Sequence, residues 1–233
     1  MEMKAPLVEK LETRFSIETI WQELTPLVCT HPPAVRSPAA NGWSLQSTPG
    51  QSFHDGWDLS FSPCNGPGNR GPTWNPTSPE DHLLKPVQDF ATPTLFMTPS
   101  LAKIFCLFEE QGFFPRKARI IRMVAGSQGV WHTDGNEKFY QCRLHIPLVT
   151  NEGCFYEGPK ERFHMPADGS SYLVTTTQPH RVVNSGPTDR YHIIAFIWDT
   201  KGLTKYHKYD PVKNLGEIDR MTQALTLVPA PRA

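Results

Sequence analysis

At 233 residues the chain is long enough to bury one full core, and a single β-rich domain of this size is ordinary. Lys plus Arg equals Asp plus Glu at 23 each, so no net field draws the chain to nucleic acid or to an anionic membrane, and the expected partner is a small molecule. The five cysteines, Cys29, Cys64, Cys106, Cys142 and Cys154, are odd in number and lack CxxC spacing, which argues against a disulfide framework or a zinc ribbon and for reduced thiols in the cytoplasm.

The opening MEMKAPLVEKLETRF is too charged for a secretory segment, and no apolar run approaches the ~20 residues of a membrane span, so a soluble, cytoplasmic protein is expected. Within 1–30, Pro6 to Leu11 and Ile17 to Val28 read as helices. In the second, Ile17, Ile20, Trp21, Leu24 and Val28 recur at three- and four-residue steps, and Ser16 suits the cap. From 31 to 99 prolines and glycines are dense, and only short runs such as GWSLQS and GWDLSF read as strands. A segment of that kind supplies edge strands and long loops, and we expect it to cover a site. Within 100–200, Ser100 to Gly112 reads as a helix with Leu101, Ile104, Phe105 and Phe108 on its apolar side. Eight short strand-like runs follow, from ARIIRMVAG to RYHIIAFIWD. They describe a mainly β fold with flanking helices, a double-stranded β-helix or jelly roll of the cupin-like kind. In 201–233, NLGEIDRMTQALTLV reads as one terminal amphipathic helix, so residues 1–233 form one domain.

Chemistry gathers between Trp131 and Trp198. His132 and Asp134 stand two apart in WHTDG, so in a strand both project to one side, and His180 follows in PHRVVN. Two histidines and a carboxylate are the ligand set of the facial triad, which holds a non-haem iron(II) and leaves positions open; zinc accepts the same set, though three histidines suit it better. Ten residues past His180 stands Arg190, across NSGPTD, whose Asn184, Gly186 and Pro187 are reversal residues. A turn about Ser185 would set His180 and Arg190 opposite one another on paired antiparallel strands, with the arginine looking into the metal cavity. A buried guanidinium needs a partner, and a carboxylate-bearing cosubstrate would supply one. There is no GxSxG elbow and no GxxxxGK[ST] loop, and the run ending at Gly68 to Gly71 is merely glycine-rich, so hydrolase and nucleotide-binding readings have no anchor.

HxD, a distal histidine, an arginine ten residues on and RxHxPL between them resemble the iron(II)- and 2-oxoglutarate-dependent dioxygenases, in particular the aspartyl/asparaginyl beta-hydroxylase family and its proline cis-hydroxylase-like members. The likeness covers roughly residues 115–200. It implies metal ligands His132, Asp134 and His180, which are also the catalytic set, with Arg190 on the distal carboxylate of 2-oxoglutarate and O2 as co-reactant. It also implies hydroxylation of an unactivated C–H, with release of succinate and CO2. Retention of Asp134 implies hydroxylation or desaturation, because related halogenases carry a small residue there. The family pattern sets an RxH pair, here Arg143 and His145, beside the cosubstrate or substrate carboxylates; the alternative is a salt-bridged arginine and a hydrogen-bonded core histidine. Proline hydroxylases point to a free amino acid or small amino-acid-derived metabolite, the wider family to Asp or Asn in a peptide or protein, and a non-catalytic module binding metal and 2-oxoglutarate is a further alternative.

The remaining candidates rest on position alone. Arg119 and Arg122 precede the site on one strand; Arg122 is the candidate for an acidic substrate group, against the alternative of a solvated surface arginine. His192 shares the direction of Arg190 and lines the pocket or packs as an interior histidine. Trp131 points away from the ligands by alternation, so core packing is its expected role. His31, His54, His82, His164 and His207 have no partner pattern and read as surface or structural residues.

Overall fold

The computed structural model describes residues 7–37, 39–50, 52–53, 60–62, 66–67, 85–86, 90–132, 142–176 and 178–199. In chain order the elements are β1 (Val8–Arg14), α1 (Ile17–Thr30), β2 (Ala34–Ser37), β3 (Ala40–Ser44), β4 (Gln46–Ser47), β5 (Ser60–Ser62), β6 (Gly66–Pro67), β7 (Lys85–Pro86), β8 (Thr92–Pro93) and α2 (Pro99–Glu110). Then come β9 (Phe113–Met123), β10 (Ser127–Gln128), β11 (Cys142–Val149), β12 (Cys154–Glu157), β13 (Arg162–Phe163), β14 (Ser170–Thr175), β15 (Arg181–Asn184) and β16 (Arg190–Asp199). A seven-stranded sheet runs β1-β14-β11-β16-β9-β3-β2, and a four-stranded sheet runs β10-β15-β12-β13. From β11 onward the chain passes back and forth between the two antiparallel sheets, the jelly-roll pattern expected from the sequence.

Side-chain alternation gives the larger sheet two different faces. On the outer face Leu144, Ile146, Leu148, Leu173, Ile193, Ala195, Ile197 and Ile120 join Ile20 and Leu24 of α1 and Leu101, Ile104, Phe105 and Phe108 of α2 in one core. Each large apolar side chain so buried stabilises by roughly 1.5–3 kcal/mol. Both helices lie where their apolar spacing predicts, and Ser16 caps α1 by accepting a hydrogen bond from the Thr19 N–H at 3.3 Å. The inner face looks toward the smaller sheet. There Tyr172 and Val174 meet Leu7, Tyr156 and Met165, while Arg143, His145, Arg190 and His192 stand on the same side.

Two expectations change. Of the helix expected over Pro6 to Leu11, the described part is not helical: residues 8–14 form the edge strand β1, with Val8 and Lys10 opposite Val174 and Tyr172 of β14. Its apolar residues are too sparse to bury a helical face, whereas the strand satisfies the backbone edge of β14. β15 and β16 are not paired with each other: β15 lies between β10 and β12 in the smaller sheet, β16 between β11 and β9 in the larger. NSGPTD therefore crosses from sheet to sheet, and His180 and Arg190 belong to opposite walls of the barrel. The terminal helix expected in 201–233 lies outside the described residues, as does most of the covering segment; of GWDLSF only 60–61 fall in a described strand, β5. β2 and β3 do form the expected edge. Cys29, Cys106, Cys142 and Cys154 are free thiols.

Candidate active site

Beyond β10 the chain continues alongside β15, and His132 and His180 meet as an antiparallel bridge, each backbone N–H donating to the other's carbonyl at 3.0 and 2.9 Å. Directly opposed residues share a face, and the two imidazole centroids lie 4.4 Å apart. Each Nδ1 sits 2.8 Å from the carbonyl oxygen two residues before it, Val130 for His132 and Gln178 for His180. A carbonyl only accepts, so Nδ1 carries the proton and Nε2 the lone pair, the tautomer that a metal ligand requires. His180 is 3% exposed while His132 is exposed, so the pair sits at a mouth with one buried side and one open side. Asp134 lies outside the described residues.

Tyr156 of β12 stacks on His180 at 5.0 Å and 19°, and its hydroxyl donates to the Thr175 carbonyl at 2.7 Å. Sequence reading missed this residue, although alternation in CFYEG already sets Cys154 and Tyr156 together on the inner side. Trp131, expected in the core, is 48% exposed, with the Arg181 guanidinium 5.1 Å over its ring. Pointing away from the ligands here means pointing to the outside of the smaller sheet.

Deeper in the barrel Arg190 is 3% exposed, and its Nη2 donates to His192 Nδ1 at 2.7 Å. Burial lowers its pKa to about 10, with the Cys154 thiol opposing the shift slightly, so it remains a cation at neutral pH. No acidic partner stands against it among the described residues. His192 is held well below its ordinary pKa by burial, then by Arg190, His145 and His164, and is therefore neutral. Arg190, His192, Thr150, Cys154, Tyr156 and Met165 line a narrow recess. The buried His145 ring lies 6.0 Å from Tyr156 and 5.9 Å from His192, between the imidazole mouth and the arginine end.

The crossover that sets Arg190 relative to His180 is held by Asn184. Its Nδ2 donates to the carbonyls of Met123, Val124 and Thr188, and its Oδ1 accepts from Asn151 Nδ2, Gly186 N and Cys154 Sγ. Gly186 lies against the Asn151 side chain, and a Cβ there would overlap Asn151 Oδ1. Asp189 accepts from Ala125 N and from Arg122; burial raises its pKa, but these bonds and the Arg122 charge bring it below its ordinary value.

The other candidates divide by face. Arg143 stands on the inner face with its guanidinium 4.3 Å over the Phe196 ring, and buried Arg119 is opposite Ile194 on that face. Arg122 is opposite Tyr191, on the helix side, and is ion-paired to Asp189 at 2.7 Å. It does not converge with the others, so its assignment to an acidic substrate group is withdrawn. His31 and His164 are structural as expected: His31 Nδ1 bonds the Leu27 carbonyl and His164 Nδ1 the Cys154 carbonyl.

The described residues fit the groups that the motif implies: two neighbouring imidazoles, each with Nδ1 bonded to a carbonyl, for a metal, and a buried cation without a resident acid for a carboxylate. Residues 90–200, just under half of the chain, match the family model described as Aspartyl/Asparaginyl beta-hydroxylase, so the resemblance read from the motifs is borne out over that span. No curated protein matches by sequence. Solved structures similar in fold include a 2OG-Fe(II) oxygenase family oxidoreductase from Burkholderia pseudomallei, with 14% identity, 85% of this chain and 87% of that one covered and a TM-score of 0.47. A Pseudomonas putida prolyl-4-hydroxylase shows 9% identity, 82% and 92% coverage and a TM-score of 0.48. The viral collagen prolyl hydroxylase of Paramecium Bursaria Chlorella virus-1 shows 12%, 84%, 97% and 0.43. Among the described residues no helix is long and apolar enough to cross a membrane.

Proposed function

We propose that the chain hydroxylates an unactivated C–H of a free amino acid or small amino-acid-derived metabolite, using iron(II) and 2-oxoglutarate. His132, Asp134 and His180 would hold the metal, and Arg190 the distal carboxylate of the cosubstrate. When bound, these groups supply the oxidising power: O2 is consumed as 2-oxoglutarate becomes succinate and CO2 and one hydroxyl is placed on the substrate. The protein's part is positioning. Two carbonyls fix both imidazole tautomers, Tyr156 packs flat on His180 and limits water on that side, and Arg190 orients the cosubstrate from the closed end. His145 and Arg143 on the inner face are placed to meet carboxylates of cosubstrate or substrate.

The observation that carries this reading is the buried Arg190 cation, which among the described residues meets the neutral His192 and no acid, and which lines a recess shared with Tyr156, the ring stacked on His180. Such a charge is costly unless a carboxylate arrives. The test is to incubate the purified protein with iron(II), ascorbate and 2-oxoglutarate under air, follow succinate, and search amino-acid mixtures for products heavier by one oxygen. Absence of turnover with confirmed metal loading would favour a binding module. A peptide substrate is the second reading, supported by the open rim at the mouth, where Val130 is 79% exposed beside exposed Trp131 and His132. An Asp- and Asn-containing peptide panel in the same assay separates the two.

A further inference from the structure

The strand that carries His132 holds one residue more than the strand it pairs with. Ser127 and Gln128 stand in regular register against Asn184 and Val183, and the Gly129 N–H donates to the Val182 carbonyl at 2.8 Å. The next bridge joins His132 to His180. One strand therefore advances from 129 to 132 while its partner runs only from 182 to 180, so Val130 and Trp131 together face Arg181 across a β-bulge. Continued without the bulge, the register of Ser127 and Gln128 would set Trp131 opposite His180. By alternation the indole would then enter the mouth and the His132 imidazole would turn outward. The observed strand does the reverse. Trp131 is 48% exposed on the outer side with the Arg181 guanidinium 5.1 Å over its ring, and His132 faces His180. Arg181 is itself fixed to the neighbouring strands: its Nε donates to Glu157 of β12 at 2.8 Å and its Nη1 to Gln128 of β10 at 3.1 Å. The carbonyl that meets His132 Nδ1 is that of Val130, a residue of the bulge.

We propose that Trp131 is a positioning residue: seated on Arg181, it holds the bulge in place, which turns the His132 imidazole toward His180 and brings the Val130 carbonyl to its Nδ1. This rests on the reading of His132 and His180 as metal ligands. Two registers compete for this stretch, and they differ by which side chain enters the mouth. A large apolar side chain favours the interior, so something must hold the indole outside. The anchored guanidinium over its face supplies that hold. The device acts on one imidazole of the two, because the carbonyl that orients His180 belongs to Gln178, outside the bulge.

The test is calorimetric titration of metal-free protein with zinc(II), paired with nitrogen-15 NMR that reads the histidine tautomers of the metal-free protein at mildly alkaline pH. Trp131→Leu keeps an apolar side chain but gives the guanidinium no aromatic face. It should weaken zinc(II) by about 10- to 100-fold, the range expected when a ligand loses its orienting partner. Trp131→Phe keeps an aromatic face and should stay within about threefold of the unsubstituted protein. In the NMR spectrum Trp131→Leu should lose the Nδ1-protonated form of His132 while His180 keeps its own, a difference that general loosening of the fold does not produce. If Trp131→Leu binds zinc(II) normally and His132 keeps its tautomer, the proposal is refuted. If both histidines change together, or Trp131→Phe fails as badly as Trp131→Leu, Trp131 is a structural residue and the proposal is equally overturned. If His132→Ala itself leaves zinc(II) affinity unchanged, the underlying reading fails.

Discussion

Replacing Arg190 by Met should leave the ligand-free protein at least as stable as before, although it removes a buried side chain with a short hydrogen bond. Burial lowers the guanidinium pKa to about 10, well below the ordinary arginine range. At ~1.4 kcal/mol per unit, holding the cation inside costs roughly 3 kcal/mol. Removing it relieves that cost but strips His192 Nδ1 of its donor, a loss of about 1–3 kcal/mol. The net change in unfolding free energy should fall between about 0 and 2 kcal/mol in favour of the variant. The relief depends on pH in a defined direction: a cation with a depressed folded pKa penalises folding below about 10, and the penalty fades as pH rises from there toward the ordinary arginine range, so the gap between the two proteins closes over that window. Binding should move the opposite way, with 2-oxoglutarate affinity reduced by about 3–5 kcal/mol, or about two to three and a half decades in Kd. Urea denaturation of metal-free protein and titration calorimetry of the metal-loaded protein measure the two halves. A variant that loses more than about 2 kcal/mol of stability yet binds 2-oxoglutarate normally would make Arg190 a structural residue and refute the reasoning.

Three further outcomes are expected. His132→Ala and His180→Ala should each lose iron, read by metal analysis, and abolish succinate formation, while the circular dichroism spectrum is kept because the bridge between the two positions is made by backbone. Gly186→Ala should cost about 2 kcal/mol or more and lower the melting temperature, since the added Cβ meets Asn151 in the crossover, and it should raise the KM for 2-oxoglutarate by moving Arg190. Asp168 is brought down to about 2 despite burial, by the Ser170 hydrogen bonds and Lys10 across the β1–β14 edge. A depressed carboxylate stabilises above its unfolded pKa and loses that as pH falls, so Asp168→Asn should be less stable than the unsubstituted protein near neutrality, and acid titration of unfolding should show the difference vanishing between 3.8 and about 2.

The strands of the jelly roll were legible because the larger sheet separates an apolar face covered by helices from a polar interior, and that separation appears in sequence as alternation. CRLHIPL shows it plainly: Leu144, Ile146 and Leu148 go to the helices, Arg143 and His145 inward. Helices α1 and α2 were legible for the same reason at their own period. β1 was not, because its hold on β14 is made by backbone hydrogen bonds that leave no side-chain pattern. Turn residues in NSGPTD announced a reversal, but nothing local says whether the strands on either side pair or part into different sheets. Arg122 and Arg190 likewise required the cross-strand register, which sets Arg190 beside Met123 and turns Arg122 to the helix side. Tyr156 was in principle readable, since the alternation that paired Arg143 with His145 applies equally to Cys154 and Tyr156.

The crossover pinned by Asn184 has a consequence for which diacid the protein accepts. It joins the wall carrying one imidazole to the wall carrying the guanidinium, and its many hydrogen bonds leave little slack between them. With Arg190 seating the distal carboxylate as proposed, it would work as a caliper, with jaws set to one chain length of 2-oxo diacid. Inserting or deleting a residue between Asn184 and Arg190 would reset the gap, and a change of preference toward a longer or shorter homologue would follow without any alteration to the groups that grip it.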